Sequence, residues 1–404
     1  MSRPPGKLPS PDERGPLLEA LRRRKMARSV HAYVRGSTVK FYEWLASSRA
    51  AAAPDGPPVW ICGDCHLGNL GPVANGDGEV EVEIRDLDQT VIGNPAHDLI
   101  RLALSLATAA RSSDLPGVTT ARMIEEMVAS YRRVLGKSNV AAVAPPDAVR
   151  RAMGRALSRR WRHLAEERIQ DRRPTIPLGR KLWPLSDAER SDLTALFAES
   201  AVRELVSDLR GRGEPDSVAL IDAAYWVKGC SSLGQLRYAA LVRVDKAGGE
   251  GARYGLIDVK EAAQAAAPRA ADAAMPRDNG ERVVEGARNL SPYLGRRMLP
   301  TRLVGRAVVL REVLPQDLKL ELDRMDSSEA VAAARYLAAV VGQAHARQMT
   351  SDVRAAWRRA LDRRRMKTLD APSWLWTSVV DLLAIHEAAY LEHCRKYAMD
   401  TAAV

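Results

Sequence analysis

Apolar residues recur at helical spacing over most of this chain. The periodicity runs through residues 15–50, resumes between Pro95 and about Arg212, and returns from Ser327 to the end of the sequence. Prolines such as Pro116 break the middle stretch into several segments, because proline does not continue the interior of a helix. The pattern predicts three largely helical stretches, with two stretches of a different kind between them.

The first intervening stretch carries short strand patterns. Residues 59–62 (VWIC) form an apolar run, and residues 80–85 alternate between apolar and charged positions. The alternating run follows the sequence NGDG at 75–78, a composition typical of hairpin turns. We therefore expect a short hairpin that joins two loops rich in polar groups.

The second intervening stretch, residues 217–315, reads as a sheet. Its strand-like runs are 223–227, 237–244, 254–259 and 307–311. The turn sequence KAGGEG at 246–251 connects the second run to the third, and so short a connection requires antiparallel neighbours. The sequence thus predicts an α+β protein with one small antiparallel sheet.

Composition narrows the class of protein. The chain has 404 residues, of which 46% are apolar and 27% are charged, and these values are typical of a globular protein with a sizeable core. No run approaches the roughly 18 apolar residues that a membrane span needs, and the first residues lack the apolar core of a secretory signal. We expect a cytoplasmic protein that does not associate with membranes.

The formal net charge of +11 favours a polyanionic partner, such as nucleic acid, a membrane surface or a phosphorylated ligand. The basic residues are mostly arginines spread over helix-like stretches, which is typical of solvated helix faces. Charge alone does not choose among these partners.

The four cysteines raise two cofactor hypotheses. The sequence CGDCH at 62–66 matches the attachment pattern of c-type haem, but such attachment normally belongs to exported proteins. A structural zinc site needs a second pair of ligands, which Cys230 and Cys394 do not supply at a sensible spacing. We expect neither haem nor zinc.

The strongest chemical pattern lies around the predicted hairpin. Asp64 precedes Asn69 by five residues, and the alternating strand leads into Asp86 and Asp88. Phosphoryl transfer from a nucleoside triphosphate needs one carboxylate to accept a hydroxyl proton, with an amide and a carboxylate to hold Mg²⁺. The alternative is structural: the first two residues cap turns and the last two are exposed at the end of a strand.

The predicted sheet contributes groups that suit phosphate. A short Gly/Ser loop lies between two strands, and its backbone N–H groups and hydroxyls could close over phosphates; its candidate residues are Gly229, Ser231, Ser232 and Gly234. Lys260 ends a strand and Glu285 falls on a predicted helix, so the pair could fix an ammonium on the phosphates. The alternatives are a plain hairpin turn and a surface ion pair between Lys260 and Glu261.

Two further polar residues are expected to be structural. Asp98 opens a predicted helix, where its carboxylate can accept N–H bonds from the first turn or from the candidate catalytic loop. His345 lies on the helical pattern after Ser327, and we expect a packed histidine with satisfied hydrogen bonds.

Several of these segments together resemble a known family. They are MARSVHAYVRG at 26–36, WICGDCHLGNLG at 60–71, RDLDQ at 85–89, SSLGQLRY at 231–238, DVKEA at 258–262 and RVVEGAR at 282–288. In this order they resemble the bacterial domain-of-unknown-function 2252 family over nearly the whole chain. The first motifs are also similar to the aminoglycoside phosphotransferase branch of the protein-kinase-like fold. That resemblance implies Asp64 as base, Asn69 and Asp86 as metal ligands and Lys260 as phosphate ligand.

The order of the motifs departs from that of ordinary kinase-like enzymes. Here the Gly/Ser loop and Lys260 follow the candidate catalytic loop instead of preceding it, which implies a circular permutation. Cys62 also stands where such phosphotransferases usually have histidine, and Ser231 stands where glycine is expected. The implied architecture is a two-lobed, permuted kinase-like fold, divided into an N-terminal helical segment (1–58), a large lobe (59–212), a small nucleotide-binding lobe (213–318) and C-terminal helices that complete the large lobe (319–404).

These observations lead to one functional hypothesis and two rivals. The leading hypothesis is an ATP- and Mg²⁺-dependent phosphotransferase that acts on a hydroxyl of a small molecule. The first rival transfers a nucleotidyl group on the same fold, and the second is a non-catalytic module that uses its positive charge to bind nucleic acid. The sequence does not identify the acceptor substrate or the oligomeric state.

Overall fold

The computed structural model describes residues 8–47, 53–136, 144–158, 175–208, 217–230, 232–245, 253–314, 317, 326–362 and 371–397. Over these ranges the chain combines helices with antiparallel sheets. The predicted α+β class is therefore confirmed. Within the same ranges, each helix is too short or too polar to cross a bilayer.

Two small antiparallel pairs lie in the first third of the chain. Strand β1 (Val59–Ile61) pairs with β4 (Val91–Gly93), and between them β2 (Leu70–Ala74) pairs with β3 (Val80–Ile84). The turn between β2 and β3 is held by Asn75, whose side-chain oxygen accepts from the N–H groups of Asp77 and Glu79 at 3.0 and 2.9 Å. The predicted hairpin is confirmed.

A larger sheet occupies the second strand region. Its strands are β5 (Leu182–Trp183), β6 (Ser217–Trp226), β7 (Arg237–Asp245), β8 (Arg253–Glu261), β9 (Met298–Leu303) and β10 (Arg306–Glu312). Their spatial order is β5-β6-β7-β8-β10-β9, and every neighbouring pair is antiparallel. Three of the four predicted runs fall within these strands, and the run 223–227 extends one residue beyond β6.

The sequence did not predict β5 or β9. Strand β5 has only two residues, so it is too short to show any alternation. Strand β9 contains Pro300 and forms an edge of the sheet, the position where a strand tolerates the missing N–H of proline. Both strands depend on pairing with distant residues more than on a local pattern.

Helices surround these sheets. They are α1 (Arg14–Met26), α2 (Val30–Gly36), α3 (Thr38–Leu45), α4 (Pro95–Ser112), α5 (Gly117–Leu135), α6 (Asp147–Ser158), α7 (Asp187–Ala198), α8 (Ser200–Asp208), α9 (Asn279–Leu290), α10 (Pro292–Gly295), α11 (Ser327–Ala346), α12 (Ser351–Leu361) and α13 (Ser373–Tyr397). Helix α4 begins with Asn94 as its cap and Pro95 in its first turn, and it is buried along nearly all its length. It forms the centre of the helical part.

Small residues allow α11 to pack closely along α5. A Cβ atom at Gly342 would lie 3.1 Å from the ring of Tyr131, so a larger residue would push the two helices apart. Most alanines of α11 are buried, and Asp326 caps the helix in a capping box with Glu329. This contact fixes the position of His345 near the end of α11.

Apolar side chains form two main cores. One lies among α3, α4, α5, α11 and the small sheets, and the other lies between the large sheet and helices α1, α7 and α8. Leu18, Phe197 and Leu310 all belong to the second core, although the predicted divisions place them in three different segments, 1–58, 59–212 and 213–318. The predicted domain divisions stay predictions.

Candidate active site

The loop that follows β1 carries Asp64 and is held from beneath by Asp98. The Asp98 carboxylate accepts from the backbone N–H groups of Cys62 and Gly63 at 2.7 and 3.0 Å, which is the second of the two alternatives expected for this residue. Gly63 has a φ of +73°, and a Cβ there would lie 2.1 Å from the carbonyl oxygen of Gln89. Only glycine fits this turn, so the loop has one well-defined path.

A chain of buried hydrogen bonds supports Asp98 in turn. His345 Nε2 donates to Asp98 at 3.2 Å, Tyr131 donates to His345 Nδ1 at 2.8 Å, and Trp357 donates to the Tyr131 hydroxyl at 3.2 Å. The partners on each side fix this direction of donation, because the carboxylate can only accept and the indole can only donate. His345 is fully buried with both nitrogens bonded, which confirms its predicted structural role.

Asp64 is paired with a buried arginine rather than capping a turn through its side chain. Its Oδ1 accepts from Arg101 Nε and Nη2 at 2.9 and 2.8 Å, and Arg101 is fully buried. Burial raises the pKa of Asp64 above its ordinary value, although Arg101 and the Thr38 hydroxyl oppose the change. A raised pKa suits a carboxylate that must accept a proton.

Asn69 connects the Asp64 loop to the segment after the hairpin. Its side-chain Nδ2 donates to the carbonyl oxygen of Asp64 at 3.0 Å, and its own carbonyl accepts from the N–H of Arg85 at 2.7 Å. The first bond fixes the orientation of the amide and turns its oxygen away from the loop backbone. The second places Asn69 one residue from Asp86.

Lys260 meets both carboxylates of the RDLDQ segment. Its Nζ lies 3.1 Å from Asp86 Oδ1 and also contacts Asp88, although Lys260 and Asp86 are 174 positions apart in sequence. Burial would raise the pKa of Asp86, but the charges of Lys260, Arg237 and Arg311 outweigh it and hold that pKa well below its usual range. Burial and the charge of Asp86 raise the pKa of Asp88. The ammonium of Lys260 thus contacts two carboxylates whose pKa values are shifted in opposite directions.

The predicted ion pair between Lys260 and Glu285 is wrong. Glu285 is 44% exposed in its side chain and lies 3.7 Å from Arg288 on the same helix. The buried face of α9 carries Val283, Val284 and Ala287, so Glu285 points outward by its position in the helical repeat. Lys260 pairs with the two aspartates instead.

A triphosphate-wide gap was also expected between Lys260 and Asp86, and this expectation is wrong as well. The two side chains are in direct contact, and the cleft around them leaves a cavity of only about 50 Å³. Opposite charges at contact distance draw this part of the cleft together.

A second charged cluster lies beside Lys260 and was missed in the sequence. Asp258, two residues earlier on β8, accepts from Arg237 at 2.9 and 2.5 Å and from Arg311 at 3.3 Å. Burial opposes ionisation, but Arg237 and Lys228 hold the pKa of Asp258 well below its ordinary value. Polar residues at alternate positions of one strand, Asp258 and Lys260, share a face of the sheet, and this spacing was the available signal.

Helix α9 reaches the same segment through an arginine that the sequence analysis also missed. Arg282 donates to the carbonyl oxygens of Asp88 and Ala263 at 3.1 and 2.8 Å, and it also donates to the carbonyl of Thr90. These bonds tie the RDLDQ segment to α9. Helix α9 therefore positions the RDLDQ segment by binding the backbone of that segment, and it supplies no carboxylate to Lys260.

The Gly/Ser loop between β6 and β7 has the backbone conformation that its glycines permit. Gly229 and Gly234 adopt φ values of +89° and +100°, and Ser232 is buried beside Gly229. Lys25 at the end of α1 donates to the carbonyl of Gly229 at 2.8 Å. The candidate Ser231 lies outside the described residues.

The motif CGDCH forms the Asp64 loop itself, and its other side chains point into the protein. Cys62, Cys65 and His66 are all buried, and hydrogen bonding with Cys65 together with burial raises the pKa of the Cys62 thiol. Burial and the nearby charge of Arg35 lower the pKa of His66. In the ranges described above, no group of three or more His, Cys, Asp or Glu side chains could hold a metal ion.

The comparisons with known proteins bear on the family alone. No curated protein and no solved structure matches the chain. A family described as "Uncharacterized protein conserved in bacteria (DUF2252)" matches residues 14–396, which include the Asp64 loop, the RDLDQ segment and Lys260. The chain therefore belongs to the DUF2252 family.

Proposed function

We propose that the protein transfers the γ-phosphoryl group of Mg²⁺-bound ATP to a hydroxyl of a small molecule. The proposal includes a two-lobed, kinase-like arrangement in which the order of the lobes along the chain is permuted. One observation carries it: Lys260, from the large sheet, meets Asp86 and Asp88, which follow the hairpin near Asp64.

The position of Lys260 in the sheet supports this proposal. In protein kinases the phosphate-binding lysine lies on the third strand of the small lobe, and a helix follows it. Here Lys260 lies on β8, the third of the consecutive antiparallel strands β6, β7 and β8, and α9 is the next helix. The Gly/Ser loop joins the first two of these strands, as a phosphate-covering loop would.

The residues near Asp86 suit a magnesium ion. Asp86, Asp88 and Asn69 offer carboxylate and amide oxygens, the hard ligands that Mg²⁺ prefers. The side chain of Asp86 is 43% exposed, so it can reach a ligand in the cleft. When bound, the ion would neutralise phosphate charge. Lys260 would then leave the two carboxylates and bind the phosphates.

Asp64 is the candidate for the proton acceptor. The loop that presents it is fixed by Asp98 and Gly63, and its raised pKa favours proton uptake. Arg101 holds one carboxylate oxygen, which would orient the other toward an acceptor hydroxyl. As the acceptor oxygen bonds to the γ-phosphorus and the bond from that phosphorus to the β,γ-bridging oxygen breaks, Asp64 would accept the hydroxyl proton and ADP would leave.

Calorimetric titration of ATP, with and without Mg²⁺, tests the proposal. We expect wild-type protein to bind ATP only with Mg²⁺, and Asp86→Ala to weaken this binding at least tenfold because it removes a charged metal ligand. Asp77→Ala, in the exposed hairpin turn, is the matched control and should bind as wild type does. Equal ATP affinity with and without Mg²⁺, or unchanged affinity in Asp86→Ala, would contradict the proposal.

Radiolabel and product mass then separate the chemistry. Transfer of label from the γ-position of ATP, with a mass increase of one phosphoryl group on the acceptor, is the expected result. A nucleotidyl adduct would assign the protein to the rival reaction, and binding without transfer would assign it to a non-catalytic role.

A further inference from the structure

A second pocket lies between the end of α1, helix α2 and the Gly/Ser loop. It has a volume of about 470 Å³, within the usual range of small-molecule sites. Its basic lining residues are Lys25, Arg28, Arg35, Lys181 and Lys228, and it has no acidic lining residue. Trp226 and Val227 supply the apolar part of the wall. The pocket shares no lining residue with the cleft around Lys260 and Asp86.

Most of this positive charge is uncompensated. Other buried arginines have acidic partners, as Arg101 has Asp64 and Arg297 has Asp317, or have several hydrogen-bonded carbonyls, as Arg282 has. In the parts of the chain described, Arg28, Arg35 and Lys181 have no such partner, and Nε of Arg35 is buried without a hydrogen bond. Like charges at close range repel one another, so a bound anion would stabilise this pocket.

Lys25 gives the same indication from its own surroundings. Burial lowers its pKa, and the charges of Arg28 and Lys181 lower it further. Its ammonium donates to the carbonyl of Gly229, a neutral acceptor that leaves the charge unbalanced. An anion in the pocket would reverse the repulsion among these side chains.

The pocket adjoins the candidate catalytic loop. The guanidinium of Arg35 lies against Gly68, where a Cβ would be 2.8 Å from its Cζ, and Gly68 precedes Asn69 in the loop that begins at Asp64. On its other side the pocket is bounded by Gly229 and Cys230 of the Gly/Ser loop. A molecule seated here would lie between the loop proposed to cover phosphates and the loop that carries the base.

We propose that this pocket binds a phosphate group of the acceptor, so that the substrate is a phosphorylated small molecule with a free hydroxyl. This inference rests on the proposed phosphotransferase function and names the class of its acceptor. The pocket and the Lys260 cleft share no lining residue, so we assign the acceptor to the pocket and the nucleotide to the cleft, whose cavity of about 50 Å³ must widen to admit it. Lys228 is paired with Asp258 at 3.7 Å, but the other basic side chains of the pocket would repel a cationic acceptor such as an aminoglycoside.

Titration with inorganic pyrophosphate tests the pocket directly. We expect wild-type protein to bind pyrophosphate with an affinity that falls as salt increases. Arg28→Ala/Lys181→Ala, which removes two exposed side chains, should weaken binding at least tenfold. The control Arg133→Ala/Arg155→Ala removes the same charge from exposed positions on α5 and α6 and should change affinity less than twofold. Arg35→Ala supplies a second pocket variant.

A second titration, in saturating Mg²⁺-ATP, separates the two sources of phosphate. Persistent pyrophosphate binding that still depends on Arg28 and Lys181 supports an acceptor site. The assignment would be overturned if Mg²⁺-ATP abolished pyrophosphate binding and the pocket variant also bound ATP more weakly. That result would show that the nucleotide occupies the pocket. Equal losses in the pocket and control variants would also overturn it.

The outcomes distinguish this inference from the proposed function. Wild-type protein that binds Mg²⁺-ATP but not pyrophosphate would overturn the acceptor assignment alone. Protein that binds pyrophosphate in this pocket but never binds ATP would overturn the phosphotransferase proposal, and with it the role of the ligand as an acceptor.

Discussion

Asp64 and Arg101 form an ion pair that the protein isolates from solvent. Arg101 also donates to the carbonyl of Val34 at 2.7 Å, while its Nη1 has no hydrogen-bond partner. Removing one member of a buried pair leaves the other charge without compensation, which costs more than the pair itself contributes. Asp64 therefore supports the fold as well as its proposed chemistry.

Asp64→Asn should for this reason lower both stability and turnover. We expect the free energy of unfolding to fall by about 3 to 5 kcal/mol, and turnover to fall by about 10² or more where the variant is still folded. Denaturant unfolding and the transfer assay measure the two effects. Asp77→Asn is the control, and Asp64→Asn/Arg101→Met should recover part of the lost stability. A variant as stable as wild type would show that Arg101 does not depend on this carboxylate.

Sequence spacing could identify Asp64, Asn69, Asp86, Asp88 and Lys260 as a group, because their chemistry is specific and each follows a recognisable turn or strand. Asp258 and Arg237 were missed because their pairing depends on which strands become neighbours. Register places Arg237 opposite Lys260 and beside Asp258, and a single sequence does not encode that register locally. The prediction for Glu285 was wrong for a different reason. Its helix was predicted, but the sequence did not show which face of that helix would point toward Lys260.

At the scale of elements, helices α5, α11 and α12 meet the candidate catalytic loop through three side chains. A chain of hydrogen bonds runs from Trp357 through Tyr131 and His345 to Asp98. The line crosses the helical core and ends on the backbone of the Asp64 loop. Its members are positioning residues, because they act on the site only through Asp98.

Tyr131→Phe interrupts this line without changing the shape of the core. It leaves His345 Nδ1 and Trp357 Nε1 buried and unbonded, so we expect a loss of about 1 to 3 kcal/mol in stability. Turnover should fall while the affinity for Mg²⁺-ATP is retained. Tyr336→Phe, at a buried tyrosine of α11, is the control. Equal effects of the two substitutions on stability and turnover would show that Tyr131 only packs in the core and does not position the Asp64 loop.

Strand β3 meets helix α10 through a buried carboxyl group. Glu83 accepts from the N–H groups of Tyr293 and Leu294, both at 3.2 Å, and burial raises its pKa to about 7 from the ordinary value of 4.5. The folded state therefore holds the proton more tightly than the unfolded chain does.

The sign of the resulting pH dependence follows from that difference. The stability that protonated Glu83 provides is complete below about pH 4.5 and decreases as the pH rises to about 7, by roughly 3 kcal/mol in total. Glu83→Gln should remove this decrease, because the amide does not ionise. Denaturant unfolding of both proteins from pH 4.5 to 7.5 measures it, and parallel curves would refute the assignment.

The elements themselves were the most predictable part of the fold. Helical periodicity, the alternation of β3 and the strand-like runs in β7 and β8 are local patterns, so the sequence revealed them directly. Strand β9 was hidden because proline and polar residues interrupt its alternation, and its place at the sheet edge is set by pairing with β10. Packing of α7 and α8 on the large sheet likewise depends on contacts that no local pattern records.

At the scale of the whole molecule, Lys260 joins the large sheet to the loops of the first third of the chain. Its side chain is 13% exposed and forms the charged contact between these regions with Asp86 and Asp88. The apolar lining of the same cleft includes Val309 and Leu294. The contact therefore links elements that are far apart in sequence.

Lys260→Met should lower the stability of the protein, and protonation of the carboxylates or binding of Mg²⁺ should restore it. Without the ammonium, the two carboxylates repel each other and the pKa of Asp88, already raised, should increase further. The folded state then gains protons, so the variant should be less stable than wild type at pH 7.5 and recover as the pH falls toward 5. Millimolar Mg²⁺ should raise its unfolding temperature more than that of wild type.

Thermal unfolding at both pH values, with and without Mg²⁺, measures this prediction. Lys396→Met, at the exposed end of α13, is the control. A Lys260→Met protein with the pH and Mg²⁺ dependence of wild type would show that the two carboxylates are independent of Lys260.

The separation of Asp64, Lys260 and His345 along the chain has a consequence for synthesis on the ribosome. Asp64 and Arg101 are only 37 positions apart, so their pair can form early. Lys260 and then His345 follow much later, and at about 5 to 20 residues per second the delay between Asp64 and His345 is roughly 14 to 56 s. During this interval Asp86 and Asp88 lack their lysine and Asp98 lacks its histidine. The nascent chain therefore assembles its candidate site in stages, and a product that is terminated before α11 carries an Asp64 loop whose support, Asp98, lacks its hydrogen bond from His345.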